Sequence, residues 1–142
     1  MSGLNTPATA RLWRVVFAVV GLFALGLQYW LILQTPDRTP LELTLNFFSY
    51  FTILTNVLIA LAMLAPAVAP DSAFGRFARP PSIRAGATLY AVVVGLVYHF
   101  LLHATWNPQG WSLLVNILLH YVMPTAMLLD WLMFTPKGSL RW

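Results

Sequence analysis

Hydrophobic residues run almost without interruption over residues 15–27 and again over 57–65. The same pattern divides the whole chain into four apolar blocks, at about residues 14–34, 43–65, 85–106 and 111–134. Each block has roughly 20 to 24 residues, enough for a helix to cross a hydrocarbon core of about 30 Å. Breakers fall between the blocks: Pro36 and Pro40, then Pro66, then the turn-forming Asn107, Pro108, Gln109 and Gly110, and finally Pro136 and Gly138. A spanning β-strand would instead alternate apolar and polar residues over about ten positions, and no such alternation is visible. The prediction is all-α: one domain over residues 1–142, a polytopic membrane helical bundle with four transmembrane helices.

Composition strengthens this reading. Hydrophobic residues make up 59% of the chain and charged residues 8%, against about a quarter charged in an ordinary soluble domain. Too few charges remain to cover a water-facing surface. Arg11 and Arg14 precede the first block as they would in a signal peptide, but the block runs on to Leu33. That exceeds the roughly 7–15 residues of a signal core, so the segment is expected to stay in the membrane. With no cysteine, disulfides, thiolate nucleophiles and Cys-ligated metals are excluded.

The net charge of +4 does not point to nucleic acid, because the basic residues flank the apolar blocks. Arg11, Arg14, Arg76, Arg79, Arg84, Lys137 and Arg141 fall on one side of a four-span arrangement and Arg38 alone on the other. Basic flanks stay cytoplasmic. Both termini are therefore expected inside, in a multi-pass protein of the cell (inner) membrane whose constant partner is the lipid bilayer. Trp30, Trp106, Trp111 and Trp131 sit near the expected span ends, where interfacial aromatics belong.

Polar side chains inside a bilayer are costly and mark function or packing. At about 1.5 Å of rise per residue, Gln28, Ser49, Thr52, His99, Asn116 and His120 fall in the outward half, and Asn56 a little past the midplane. Ser49, Thr52 and Asn56 share one face of the second span, His99 and His103 one face of the third, Asn116 and His120 one face of the fourth. Converging faces would form a polar pocket open toward the outer leaflet. Isolated serines and threonines also bond the carbonyl one turn back, and asparagines also bridge helices. Asp130 is expected at the cytoplasmic boundary, paired with Lys137 or Arg141.

Three functions fit. Thr52 and His120, on different spans at nearly equal depth, suit a hydroxyl nucleophile and an imidazole base. Asn56 or Asn116 would then orient the ring or donate to an oxyanion, and the depth favours a lipid-ester substrate. His99 and His103, four apart, with His120, suit a metal or haem, although no carboxylate lies at that depth, and the favoured reading needs no cofactor. A non-catalytic transport, assembly or lipid-binding role is the third, and four-span chains readily form homo-oligomers.

Two segments carry a family resemblance. NFFSYFTILTNVL at residues 46–58 resembles the second-span signature of bacterial Pr6Pr-type membrane proteins. LLHYVMP at 118–124, followed by LDW at 129–131, resembles their fourth-span signature, and PKGSLRW at 136–142 is similar to the loop beyond it. These proteins are similar, more distantly, to eukaryotic androgen-induced membrane proteins, threonine hydrolases of fatty acid esters of hydroxy fatty acids. The resemblance covers about residues 13–142 and implies a threonine nucleophile on the second span, at Thr52, and a histidine on the fourth, at His120. The family typically has six spans and four are present here, so the sequence reads as a fragment or as a natural short form.

Overall fold

The computed structural model describes residues 7–138. Helix α1 (Pro7–Leu33) is followed by a short α2 (Pro40–Ser49), α3 (Phe51–Val68) and a short α4 (Ala73–Ala78). Helix α5 (Pro81–Val97) runs into a wide π-helical turn at Tyr98–Leu102. Helix α6 (Gly110–Ile117) passes through a second π-helical turn, Leu118–Val122, into α7 (Met123–Phe134).

Four stretches are long and apolar enough to cross a membrane: Pro7–Leu33, Phe51–Val68, Pro81–Leu102 and Gly110–Phe134. In the most apolar part of each, only 22% to 44% of the residues are buried within the protein. The remaining apolar surface needs lipid around it, so the chain is an all-α membrane bundle.

The spans close a ring: α1 packs on α3, α3 on α5, α5 on α7, and α7 back on α1. Near the arginine-rich end the core is Ala18, Ile59, Met63, Ala87, Ala91, Met123, Ala126 and Met127. Its alanines let backbones approach closely, which is how helices adhere where lipid supplies no hydrophobic drive. Toward the opposite end Ala24, Leu25, Phe47, Ile53, Val115 and Leu119 form a second cluster.

The stretch expected as one span at residues 43–65 is two helices. Thr39 and Glu42 form a reciprocal capping box ahead of Pro40, which starts α2 three residues early. Ser49 Oγ then donates to Asn46 O at 2.7 Å, so Tyr50 N–H turns to Phe47 O at 3.4 Å. Tyr50 adopts an extended conformation (φ −76°, ψ 125°), and α3 begins afresh at Phe51. Helix α2 buries Leu43 and Phe47 and leaves Leu41, Leu45 and Phe48 outward.

Pro66 does not end the second span as expected; α3 continues to Val68. A proline inside a helix leaves the carbonyl four residues earlier without its donor. Here that carbonyl is Ala62 O, and it receives Arg84 Nη1 at 3.0 Å.

Candidate functional site

Pro124 shapes the fourth span in a similar way. It stands at the start of α7 and has no N–H to give His120 O. In the turn before it, Met123 N–H reaches five residues back to Leu118 O. Such a register shift releases neighbouring carbonyls and widens the helix, and π turns recur at functional sites. Leu119 O, whose usual donor Met123 N–H is turned to Leu118 O, and Asn116 O one residue before the turn's flank each meet a side-chain donor. Asn56 Nδ2 donates to Leu119 O at 3.0 Å, as well as to Thr52 O at 2.9 Å. His120 Nδ1 lies 3.0 Å from Asn116 O. A Cβ at Gly95 would lie 3.3 Å from His120 O, so the third span comes close because that position is glycine.

These constraints fix the imidazole chemically. A backbone carbonyl can only accept, so Nδ1 carries the proton of the neutral ring. Nε2 is left with a lone pair. Thr52 Oγ1 lies 3.3 Å from Nε2, and its hydroxyl therefore donates to the ring. Tyr98 stacks on the imidazole, its ring centroid 4.1 Å from that of His120 at 27°. Tyr98 is in turn held through its phenol by the Asn116 amide.

The break at Tyr50 gives Thr52 a second property. It stands in the first turn of α3, whose opening N–H groups have no side-chain cap. The first N–H groups of a helix lack intrahelical partners and carry a partial positive charge. Thr52 itself carries one of these N–H groups.

Among the residues singled out from sequence, Thr52, His120, Asn56 and Asn116 are brought together. Ser49 is outside the group: it is exposed on α2 and bonds only within its own turn. Gln28 is half-buried on α1 and makes no hydrogen bond to the four. His99 is exposed and meets the Tyr121 hydroxyl at 3.2 Å. It stacks edge-on with His103 at 6.1 Å, while both nitrogens of His120 are committed elsewhere. Among the described residues no three His, Cys, Asp or Glu side chains gather closely enough to hold a metal ion.

No family model, curated protein or solved structure matches this chain.

A second polar cluster lies nearer the arginine-rich end. Asp130, fully buried, receives Arg14 Nε at 2.7 Å and also the guanidinium of Arg84. Arg84, 2% exposed, further donates to Ala62 O and, through Nε, to Thr135 Oγ1 at 3.3 Å. The expected pairing of Asp130 with Lys137 is therefore corrected: Lys137 Nζ donates to Leu132 O at 2.6 Å, and Arg141 lies outside the described residues. Sequence reasoning placed Arg84 in a loop, as a topology signal. The missed hint was Asp130 itself, a carboxylate inside a span, which demands a buried cation.

About ten residues separate His120 from Asp130 on the fourth span, or roughly 15 Å along a helix. The two clusters are thus distinct. Tyr98 is the other residue that sequence reasoning passed over, because tyrosine in an apolar span reads as an interfacial aromatic.

Proposed function

We propose that the protein is an integral membrane hydrolase of lipid esters, with Thr52 as nucleophile and His120 as general base. The observation that carries this is the hydrogen bond from the Thr52 hydroxyl to His120 Nε2, with Nδ1 pinned on Asn116 O. In the reaction, Nε2 accepts the hydroxyl proton while Oγ1 adds to the ester carbonyl. The first-turn N–H groups of α3 stabilise the oxyanion. On collapse, the alcohol leaves with the proton from Nε2 and the acyl group stays on Oγ1. Water, deprotonated by the same nitrogen, then releases the acid and restores the hydroxyl.

His120 stands ten residues into the fourth span from Gly110, roughly 15 Å in. A substrate reaching that depth must partition into lipid, which favours long-chain esters over soluble ones. The resemblance to Pr6Pr-type proteins supports the same pair of residues. By its basic flanks the protein belongs in the inner membrane with the Arg76 end toward the cytoplasm.

The test uses purified protein in detergent with a long-chain acyl ester bearing a fluorogenic alcohol. Thr52→Ala and His120→Ala are expected to lose about 100-fold or more in turnover, while Thr52→Ser retains part of it. Equal turnover by wild type and both alanine variants would eliminate the mechanism.

A further inference from the structure

The loop between the second and third spans is more than a connection. Ser72 Oγ donates to Ala69 O at 2.7 Å and accepts Gly75 N–H at 3.0 Å, which fixes the start of α4. A Cβ at Gly75 would lie 2.2 Å from Ala69 O, so α4 sits on that carbonyl only because position 75 is glycine. Gly75 and Ala78 are buried, whereas Phe74 and Phe77 point outward at 37% and 54% exposure. The two rings pack on each other with centroids 5.8 Å apart.

Arg76 and Arg79 stand beside these rings. Arg76 donates to the backbone carbonyl of Asp71, and Arg79 Nη2 to Pro70 O at 2.6 Å. Those bonds hold the guanidiniums in place and use only part of their five donors. Neither meets a carboxylate among the described residues. Together with Pro80, Pro81 and Pro136 they line a cavity of about 450 Å³. Its proline walls offer no N–H, so the polar recognition in it comes from two forked cations.

We infer that this cavity binds the phosphate headgroup of an anionic phospholipid, with Phe74 and Phe77 inserted among the adjoining acyl chains. Paired guanidiniums match phosphate oxygens in geometry and charge. Exposed aromatics next to basic residues are the mark of a segment lying in an anionic membrane interface. A soluble phosphate would use the arginines but leave the two rings unexplained. A zwitterionic headgroup would bring a cation toward the arginines. The inference does not depend on the hydrolase reading.

The test is lipid retention and thermal stability of the detergent-purified full chain, with phosphatidylglycerol, phosphatidylcholine and inorganic phosphate added separately. Phosphatidylglycerol is expected to be retained and to raise the melting temperature, with little effect from the other two. The double variant Arg76→Gln with Arg79→Gln is expected to bind phosphatidylglycerol about thirtyfold more weakly. Arg38→Gln, at the opposite end, should bind as wild type. Should the double variant not fold, Arg79→Gln alone is expected to bind about fivefold more weakly. Undiminished binding by the folded variant, equal retention of phosphatidylcholine, or equal stabilisation by inorganic phosphate would each overturn the assignment.

Discussion

Replacing Asp130 with asparagine would keep the shape of the side chain and remove the anion that Arg14 and Arg84 share. Arg84 is almost wholly enclosed and Asp130 entirely so, which leaves a buried guanidinium without its counter-charge. Breaking one member of such a pair costs about 3–5 kcal/mol, a large part of a typical stability of roughly 5–15 kcal/mol. For a chain of this size that corresponds to a fall in melting temperature on the order of 10–15 °C. Arg84→Met should cost a similar amount, because Asp130 keeps Arg14 at 2.7 Å but Ala62 O and Thr135 lose their donor. Arg14→Gln should cost least, at about 1 kcal/mol or below, since its side chain is 17% exposed and reaches the boundary. The double variant Arg84→Met with Asp130→Asn is the decisive one. It removes both enclosed charges together, so its loss should be smaller than the sum of the single losses. Circular dichroism and tryptophan fluorescence melts in detergent read all four variants. A shift under about 2 °C for Asp130→Asn, or strict additivity in the double variant, would refute the account of the cluster as a mutually dependent unit.

Two glycines give a paired prediction. A Cβ at Gly21 would meet the end of the flexible Met123 side chain at 2.6 Å, whereas one at Gly75 would meet the Ala69 carbonyl at 2.2 Å. Gly21→Ala should therefore be nearly neutral, as the methionine moves aside, and Gly75→Ala should cost about 1–3 kcal/mol; equal melting temperatures would contradict this. Glu42 supplies a pH dependence. The backbone N–H and the hydroxyl of Thr39 hold its carboxylate below the usual range, with Arg38 adding a little. A depressed folded pKa means the stabilisation is complete above the unfolded value and is lost as pH falls through the lowered one. The protection of α2 amides, taken relative to intrinsic exchange at each pH, should accordingly fall as acid carries the solution through that lowered value, and Glu42→Gln should remove this pH dependence.

Fold class was legible because solvent sets it: long apolar blocks with so few charges admit little else. The helix ends were less so. The Tyr50 break depends on whether Ser49 takes the Asn46 carbonyl, a competition that hydropathy does not register. Pro66 reads as a terminator in any sequence, yet here Arg84, eighteen residues later, satisfies the carbonyl it releases. On the site, periodicity grouped Thr52 with Asn56 and Asn116 with His120, since residues four apart share a face. It also grouped Ser49 with Thr52, and failed there because the helix does not run unbroken between them. The Tyr98–His120 stack was out of reach, because two π turns displace both side chains from the register that a 3.6-residue period assumes.

Two polar side chains of the bundle, Arg84 and Asn56, share one physical origin. Wherever the helical hydrogen-bond ladder is interrupted, a carbonyl is left inside lipid without a donor, at a cost of several kcal/mol. Ala62 O is released by Pro66 and taken by Arg84, and Leu119 O lies in the second π turn and is taken by Asn56; His120 Nδ1 bonds Asn116 O in the turn before. Arg84 and Asn56 are therefore fixed by the backbone faults they repair, and His120 by a carbonyl one turn back. Fixing Asn116 O on Nδ1 has a further effect: it dictates the tautomer, and the tautomer leaves Nε2 free to receive the Thr52 proton. The contact that anchors the ring is thus the same one that sets the base, and the hydroxyl of Thr52 meets a nitrogen whose lone pair the backbone of its own helix has selected.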